Sequence, residues 1–196
     1  ILDRIIIGQR LGDLLEFSKG SKKYSKERVE VYSQERTWIV DNYQKTEKVR
    51  GDEICWITGS SSEGALWLSW CEAMQQYVNR SLFMGLFSFE SHFACYEPGK
   101  FYKRHVDAFK GQGNRVLSLV AYLNDDWTSE DGGELVLYAD ESDLIGTRVL
   151  PTKGTFVVFL SEQFPHEVLP AARSRHSVAG WFRVNGSVND AIDPPR

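Results

Sequence analysis

The chain has 196 residues, of which 42% are hydrophobic and 13% aromatic, which predicts one folded domain with a substantial core and excludes a disordered or fibrous protein. A formal net charge of -4, without a long run of Lys and Arg, argues against a nucleic-acid partner. The 3 cysteines lack C-x-x-C spacing and favour a reducing, cytoplasmic setting, and no apolar run is long enough to predict a membrane partner.

The first half of the chain is predicted to hold two helices and a long hairpin. Apolar residues recur at helical spacing over residues 2–17 and again after residue 60, where Ser60 and Glu63 match a capping box. The Trp and Met residues of the second helix are assigned to core packing. Strands are predicted over residues 29–40 and 54–58, and the charged loop 41–49 between them is a candidate substrate contact.

The second half of the chain has the period-two pattern of β-strands. Helices followed by many short antiparallel strands indicate an α+β protein whose core is a barrel or a two-sheet jelly roll, with the helices against one outer face. The tail over residues 186–196 offers no apolar stripe for packing. Strands are predicted over residues 87–96, 116–123, 134–138, 155–160, 167–169 and 177–184, with Gly- and Pro-containing turns between them.

Three residues of the second half form a candidate metal site. His105 and Asp107 are two residues apart, so both side chains point to the same face of an extended backbone. In a jelly roll, the later strand near His166 can return to the same mouth. Two histidines and one aspartate would bind Fe(II) through one face of an octahedron and leave positions for a co-substrate and O2. A structural cluster, or a Zn(II) site that activates water, is the alternative.

A cation and a phenol are candidates for binding an anionic co-substrate. Arg175 shares one face of the last strand with Ser177 and Trp181, and that strand is expected to run antiparallel to the one that starts at His166. The guanidinium would then bind a carboxylate bidentately, with Tyr122 donating to the same anion. Taken separately, a surface ion pair for Arg175 and a core position for Tyr122 are the simpler explanations.

Taken together, these residues resemble a known family. The chain resembles the Fe(II)- and 2-oxoglutarate-dependent prolyl hydroxylases, in particular the oxygen-sensing prolyl hydroxylase domains and their bacterial relatives. Arg175 is typical of that branch, because collagen-type prolyl hydroxylases have a Lys in its place. The matching motifs are R-G-D-E-I-C-W-I at 50–57, F-A-C-Y at 93–96, Y-x-R-H-V-D at 102–107, Y-L-N-D-D-W at 122–127, G-G-x-L at 132–135, P-H-E-V at 165–168 and the segment 175–181.

The resemblance implies a role for each candidate site residue. It implies a catalytic iron site formed by His105, Asp107 and His166. The expected 2-oxoglutarate-binding residues are Arg175, Tyr122, Tyr96 and Ser177. The expected substrate-binding residues are Tyr102, Arg115, Trp56, Trp181 and Asp52, with Asp52 as the acid that pairs with Arg115.

The resemblance also implies a fold and an activity. The expected fold is a double-stranded β-helix, or jelly roll, buttressed by N-terminal helices. One domain would span residues 1–196, with the helices and substrate hairpin in 1–85, the catalytic core in 86–185 and a tail in 186–196. The loop 41–49 resembles the family's mobile substrate-covering loop, although it differs in length and charge from that of the animal enzymes.

The expected activity is hydroxylation of a prolyl residue in a protein, with Fe(II) as cofactor, 2-oxoglutarate and O2 as co-substrates, and succinate and CO2 as products. Ascorbate is a further expected cofactor. Animal members act on the hypoxia-inducible factor, and bacterial relatives suggest elongation factor Tu as the partner. The alternatives are a non-catalytic, metal-binding jelly roll that binds peptides, and an oxygenase of a free amino acid.

Overall fold

In the part of the chain that the structure describes, the strands form two antiparallel sheets. A computed structural model describes residues 5–8, 51–108 and 114–186. Its elements are β1 (Ile5–Gly8), β2 (Asp52–Trp56), α1 (Ser62–Leu82), β3 (Ser88–Tyr96), β4 (Tyr102–His105), β5 (Arg115–Tyr122), a 3-10 helix (Ser129–Asp131), β6 (Leu135–Leu137), β7 (Thr147–Val149), β8 (Phe156–Leu160), β9 (His166–Val168) and β10 (Arg175–Arg183).

The larger sheet has the strand order β1-β8-β5-β10-β3-β2, and the smaller sheet has the order β4-β9-β6-β7. One hydrophobic cluster combines residues of both sheets, including Tyr122, Leu135, Leu137 and Phe159. A second cluster joins the other face of the larger sheet to α1. The smaller sheet and α1 therefore cover opposite faces of the larger sheet.

Strand β8 illustrates how the sequence produces this layering. Its apolar run has no polar alternation, because both of its faces are buried. Phe156 and Val158 belong to the cluster on the α1 side, whereas Val157 and Phe159 belong to the cluster between the sheets. Because successive side chains of a strand point to opposite faces, this short strand contributes residues to both hydrophobic clusters.

Helix α1 is capped one residue later than the sequence pattern indicates. The N-cap is Ser61, whose hydroxyl accepts a hydrogen bond from the Gly64 N–H at 3.0 Å. The Ser60 hydroxyl instead contacts Thr58 Oγ1 at 2.6 Å, so the predicted capping box of Ser60 and Glu63 is wrong. The assignment of the Trp and Met residues to packing is confirmed by the buried Trp70. Helix α1 is not both long and apolar enough to cross a membrane.

The N-terminal helix prediction is wrong where it can be compared with the structure. Residues 5–8 form β1, which pairs with β8 in antiparallel register. Three consecutive isoleucines favour an extended backbone because of their branched β-carbons, and the edge of β8 supplies the pairing groups. The remainder of the predicted helix, the predicted strand 29–40 and the loop 41–49 lie outside the described residues.

Strands β9 and β10 also differ from the expectation. They belong to different sheets and are not paired, because β10 lies between β3 and β5 while β9 lies between β4 and β6. Their pocket-facing side chains therefore meet across the space between the sheets. The extended backbone expected at His105 is confirmed by β4, which ends at that residue. Strand β7 was not predicted, since a run of three residues carries too little pattern.

The position of the N-cap gives a direct test of the start of α1. We expect Ser61→Ala to lower the free energy of unfolding by about 1 kcal/mol, because the Gly64 N–H loses its acceptor. Ser60→Ala is the matched control and should change it by less than about 0.5 kcal/mol. Urea denaturation measures both values, and a larger loss for Ser60→Ala would contradict the assignment of the cap.

Candidate functional site

Two histidines and one aspartate meet where the short strands of the smaller sheet end. His105 is the last residue of β4, His166 is the first residue of β9, and the two lie opposite each other in the ladder. Asp107 lies in a bend two residues beyond β4 rather than on the extended backbone that was predicted. Its carboxylate oxygens lie 3.7 Å from His105 Nε2 and 3.6 Å from His166 Nε2.

Backbone carbonyls fix the orientation of both imidazoles. Nδ1 of His105 lies 2.7 Å from the Lys103 carbonyl oxygen, and Nδ1 of His166 lies 3.0 Å from that of Phe164. Because a carbonyl only accepts hydrogen bonds, each Nδ1 carries the proton and donates it. In the neutral form of each ring, Nε2 then has a lone pair for a ligand beside Asp107.

Asp107 is held as a carboxylate. Burial raises the pKa of Asp107, but the neighbouring His166, the hydrogen bond from Ser118, the indole of Trp181 and the neighbouring His105 together hold it below its ordinary value. Ser118 Oγ donates to Asp107 Oδ2 at 2.5 Å. A carboxylate beside two imidazole nitrogens is the donor set that suits a facial Fe(II) site.

Arg175 is a buried cation with no acidic partner among the described residues. Only 1% of its surface is exposed, and its Nε has no hydrogen-bond partner. The guanidinium carbon lies 5.1 Å from the ring centroid of Tyr96 and 5.0 Å from that of Tyr122. Burial lowers the pKa of the adjacent His176 to about 4, so that imidazole adds no second charge near neutral pH.

The Tyr122 hydroxyl is a second buried polar group, and it lies beside Arg175 with no acceptor for its proton in the part of the chain described. Burial raises the pKa of Tyr122, and the nearby Arg175 only partly opposes this, so the phenol stays neutral and can donate. A buried charge and a buried hydroxyl are both costly when they lack partners. The pair therefore fits the carboxylate of a bound ligand.

Gly133 allows the backbone to pass directly behind Arg175. Its φ is +72°, and a β-carbon there would lie 2.8 Å from the Ala171 Cβ and 3.2 Å from the Arg175 Cδ. Any larger residue would therefore push against the arginine stem. The second glycine of the G-G-x-L motif is therefore needed because a side chain at this position would collide with its neighbours.

Aromatic rings line the mouth of the site. Tyr102 stacks on His105 with ring centroids 3.7 Å apart. The ring of His92 lies between two indoles, with centroids 5.2 Å from Trp56 and 5.5 Å from Trp181. Trp56 is 44% exposed, so part of this wall is open to an incoming ligand.

The acid beside Arg115 is Glu90, not Asp52 as the sequence suggested. Arg115 donates from Nε at 2.9 Å and from a terminal nitrogen at 2.7 Å to Oε1 of Glu90. Asp52 lies opposite Tyr96, which in turn lies opposite Arg175 on β10. Arg115 lies opposite Arg183, eight residues further along β10. Eight residues of strand span about 26 Å, so the sheet register separates Asp52 from Arg115.

Most of the predicted site residues line one pocket between the two sheets. Tyr122 does not line the pocket but lies behind it against Arg175. Sequence reasoning missed Ser118, although a serine on the inward face of an otherwise apolar strand is a detectable signal. The pocket-lining members of the predicted set are Asp52, Trp56, Tyr96, Tyr102, His105, Asp107, Arg115, His166, Arg175, Ser177 and Trp181.

Comparisons with known proteins agree with this geometry. The 2OG-Fe(II) oxygenase superfamily matches residues 91–183, which run from β3 to the end of β10. The crystal structure of a Pseudomonas putida prolyl-4-hydroxylase superposes with a TM-score of 0.74 and 39% identity over 81% of this chain and 86% of that chain. The chain belongs to the 2OG-Fe(II) oxygenase superfamily.

Other 2OG-Fe(II) oxygenases extend the similarity. A Trichoplax adhaerens prolyl hydroxylase, solved with a peptide fragment of the hypoxia-inducible factor, has a TM-score of 0.71 and 27% identity over 91% of this chain and 83% of that chain. Human Egl nine homolog 1 is 26% identical over 89% of this chain, which spans 40% of that protein. The superfamily uses Fe(II), with 2-oxoglutarate and O2 as co-substrates. This chain has a matching set of candidate iron ligands in His105, Asp107 and His166.

Gly133 provides a test of packing behind the site. Gly133→Ala and Gly154→Ala share the penalty of a positive φ, but an added methyl group meets open space at Gly154. We expect both to destabilise, with Gly133→Ala costing about 1–3 kcal/mol more because of overpacking against Arg175. Urea denaturation measures the free energy of unfolding of both variants. Equal decreases would mean that Gly133 is needed only for its positive φ and not for packing against Arg175.

Proposed function

We propose that this chain is an Fe(II)- and 2-oxoglutarate-dependent dioxygenase that hydroxylates a prolyl residue in a protein substrate and releases succinate and CO2. One observation carries the proposal. His105, Asp107 and His166 bring their ligand atoms within 4.8 Å of one another, and Arg175 lines the same pocket with its charge unpaired among the described residues. A cation-ligating face and an anion-binding group in one pocket match a metal ion chelated by a dicarboxylate.

In this proposal His105, Asp107 and His166 are the residues that would hold the iron. When bound, Fe(II) and 2-oxoglutarate supply the activation of O2 and the oxidation of a C–H bond. The backbone carbonyls behind both imidazoles keep each Nε2 available as a ligand. Ser118 lines the same pocket, and its hydrogen bond to Asp107 restricts rotation of the carboxylate.

Arg175 is the proposed anchor of the distal carboxylate of 2-oxoglutarate. Tyr122 lies behind Arg175 rather than in the pocket lining, and its hydroxyl is proposed to donate a hydrogen bond to the same carboxylate. Tyr96 and Ser177 complete this end of the pocket, since Tyr96 lies opposite Arg175 and Ser177 lies opposite Tyr122 in the ladder. Their proposed role is to orient the 2-oxo end toward the metal side.

Tyr102, Trp56 and Trp181 are the proposed walls for the substrate proline. A proline ring is apolar and flat enough to lie against aromatic faces, which also exclude water from the reacting bond. Arg115 and Asp52 line the same pocket and are proposed to contact the polypeptide on either side of the proline. The exposed part of Trp56 leaves room for a protein segment to enter.

The proposed partner is a cytoplasmic protein with an accessible proline in an extended loop. Elongation factor Tu is the first candidate, because the chain resembles bacterial relatives of the oxygen-sensing enzymes. The peptide of the hypoxia-inducible factor that is bound to the Trichoplax relative is the second. Incubation of each with the enzyme, Fe(II), 2-oxoglutarate and ascorbate, followed by mass spectrometry, tests the proposal through a gain of one oxygen on proline. Succinate formation that no prolyl substrate stimulates would instead favour a free amino acid as substrate.

The metal ligands can be tested by a graded pair of variants. Asp107→Ala should lower Mn(II) affinity and succinate formation by more than about 100-fold, since it removes the charged ligand. Ser118→Ala should lower them by about 10–100-fold, as expected for an outer-sphere partner. Asp125→Ala alters an exposed ion pair with Lys153 and serves as the control. Unchanged metal affinity in Asp107→Ala would refute the site.

The anchor role of Arg175 predicts a selective loss. Arg175→Gln should raise the KM for 2-oxoglutarate by about 10–100-fold, because hydrogen bonds to a charged group contribute about 1.5–3 kcal/mol. The KM for the protein substrate should change little. With Mn(II), 2-oxoglutarate should raise the Tm of the wild type but not that of the variant. Arg173→Gln, which alters an exposed arginine paired with Asp131, is the control. An equal rise in both KM values would contradict the anchor.

A further inference from the structure

Glu90, Arg115 and Trp181 form a connected group at the edge of the pocket. Glu90 lies on β3 opposite Trp181 on β10, and it shares strand parity with the pocket-lining His92 and Tyr96. Both hydrogen bonds from Arg115 go to one oxygen of Glu90. The guanidinium carbon of Arg115 then lies 3.8 Å from the ring centroid of Trp181.

The burial of this group makes the charge of Glu90 important. The Glu90 side chain is 10% exposed and that of Arg115 is 30% exposed, so solvent screens their attraction only partly. Oε2 of Glu90 also lies 4.0 Å from a terminal nitrogen of Arg183. One carboxylate therefore faces two guanidinium groups, and loss of its charge would leave them to repel each other.

The contacts of Arg115 restrict it to one orientation. Glu90 holds one edge of the guanidinium, and the indole of Trp181 supports one face. The second terminal nitrogen has no hydrogen bond to any residue that the structure describes and remains available at the pocket. Trp181 lines the same pocket as Asp107, which places this group next to the candidate metal ligands.

We infer that Glu90 is a positioning residue for the protein substrate. It holds Arg115 flat against Trp181 and so fixes the pocket wall along which the substrate proline enters. Glu90 itself need not touch substrate, 2-oxoglutarate or metal. This inference rests on the proposed prolyl hydroxylase function, and it assigns to a residue of β3 the role that the resemblance gave to Asp52.

Steady-state kinetics with elongation factor Tu or the hypoxia-inducible factor peptide, whichever is hydroxylated, tests the inference. Glu90→Gln should raise the KM for that substrate about tenfold, the loss of one charge-assisted hydrogen bond, and leave the KM for 2-oxoglutarate unchanged. Glu90→Asp should be intermediate, because it keeps the charge on a shorter stem. Glu134→Gln is the matched control, since it removes an acid that faces Arg148 at 4.0 Å outside the pocket and should leave both KM values unchanged.

A double-mutant cycle separates positioning from general stability. If Glu90 acts through Arg115, Glu90→Gln should add no further increase in substrate KM when Arg115 is already Gln. A full additional increase would overturn the inference, and so would an increase in Asp52→Asn without one in Glu90→Gln. A purely structural role would instead change Tm and both KM values together.

Nuclear magnetic resonance provides a reading that needs no substrate. In the wild type, the Arg115 Nε–H should exchange slowly with solvent, because it donates to Glu90 at 2.9 Å, and Glu90→Gln should accelerate this exchange. Equal exchange in both proteins would overturn the positioning of Arg115. An active wild type with an unchanged Glu90→Gln variant would overturn this inference alone. A wild type that hydroxylates no prolyl substrate would overturn the proposed function and, with it, this inference.

Discussion

The burial of the Arg175 charge is the constraint on which the rest of this site depends. A guanidinium that is 1% exposed and has no acidic partner among the described residues is costly in the absence of an anionic ligand. The fold surrounds it with two tyrosine rings and with a glycine directly behind its stem. These surroundings favour an anion in the pocket, so the free-energy cost of burying Arg175 would contribute to the affinity for that anion.

The larger elements of the fold could be predicted because their patterns are local. Strands β3, β5, β8 and β10 and helix α1 appear where the hydrophobic period indicates, within a few residues. Strands β1, β4 and β7 are short, and their extended state depends on partners that are distant in sequence. The two-layer arrangement followed from the number of strands, whereas the separation of β9 and β10 into different sheets did not, because pairing is decided by the whole chain.

The candidate site divides in a similar way. The candidate metal ligands and Arg175 could be proposed because their residue types are chemically specific and fall within family motifs. The contact between Glu90 and Arg115 joins residues 25 positions apart and depends on the register of β3, β10 and β5. Neither residue has a local signal of this pairing, and a motif match pointed to Asp52 instead. Register, rather than residue type, decided the partner.

The continuity of β10 has a further consequence for how this protein can change over evolution. One uninterrupted strand carries Arg175 and Ser177 at one end and Trp181 toward the other, all on a single face. Successive side chains of a strand point to opposite faces of the sheet. Inserting or deleting one residue between Arg175 and Trp181 would therefore turn one of them away from the pocket. Substitutions on the opposite face leave this spacing intact. The length of this segment should therefore be inherited more strictly than its composition.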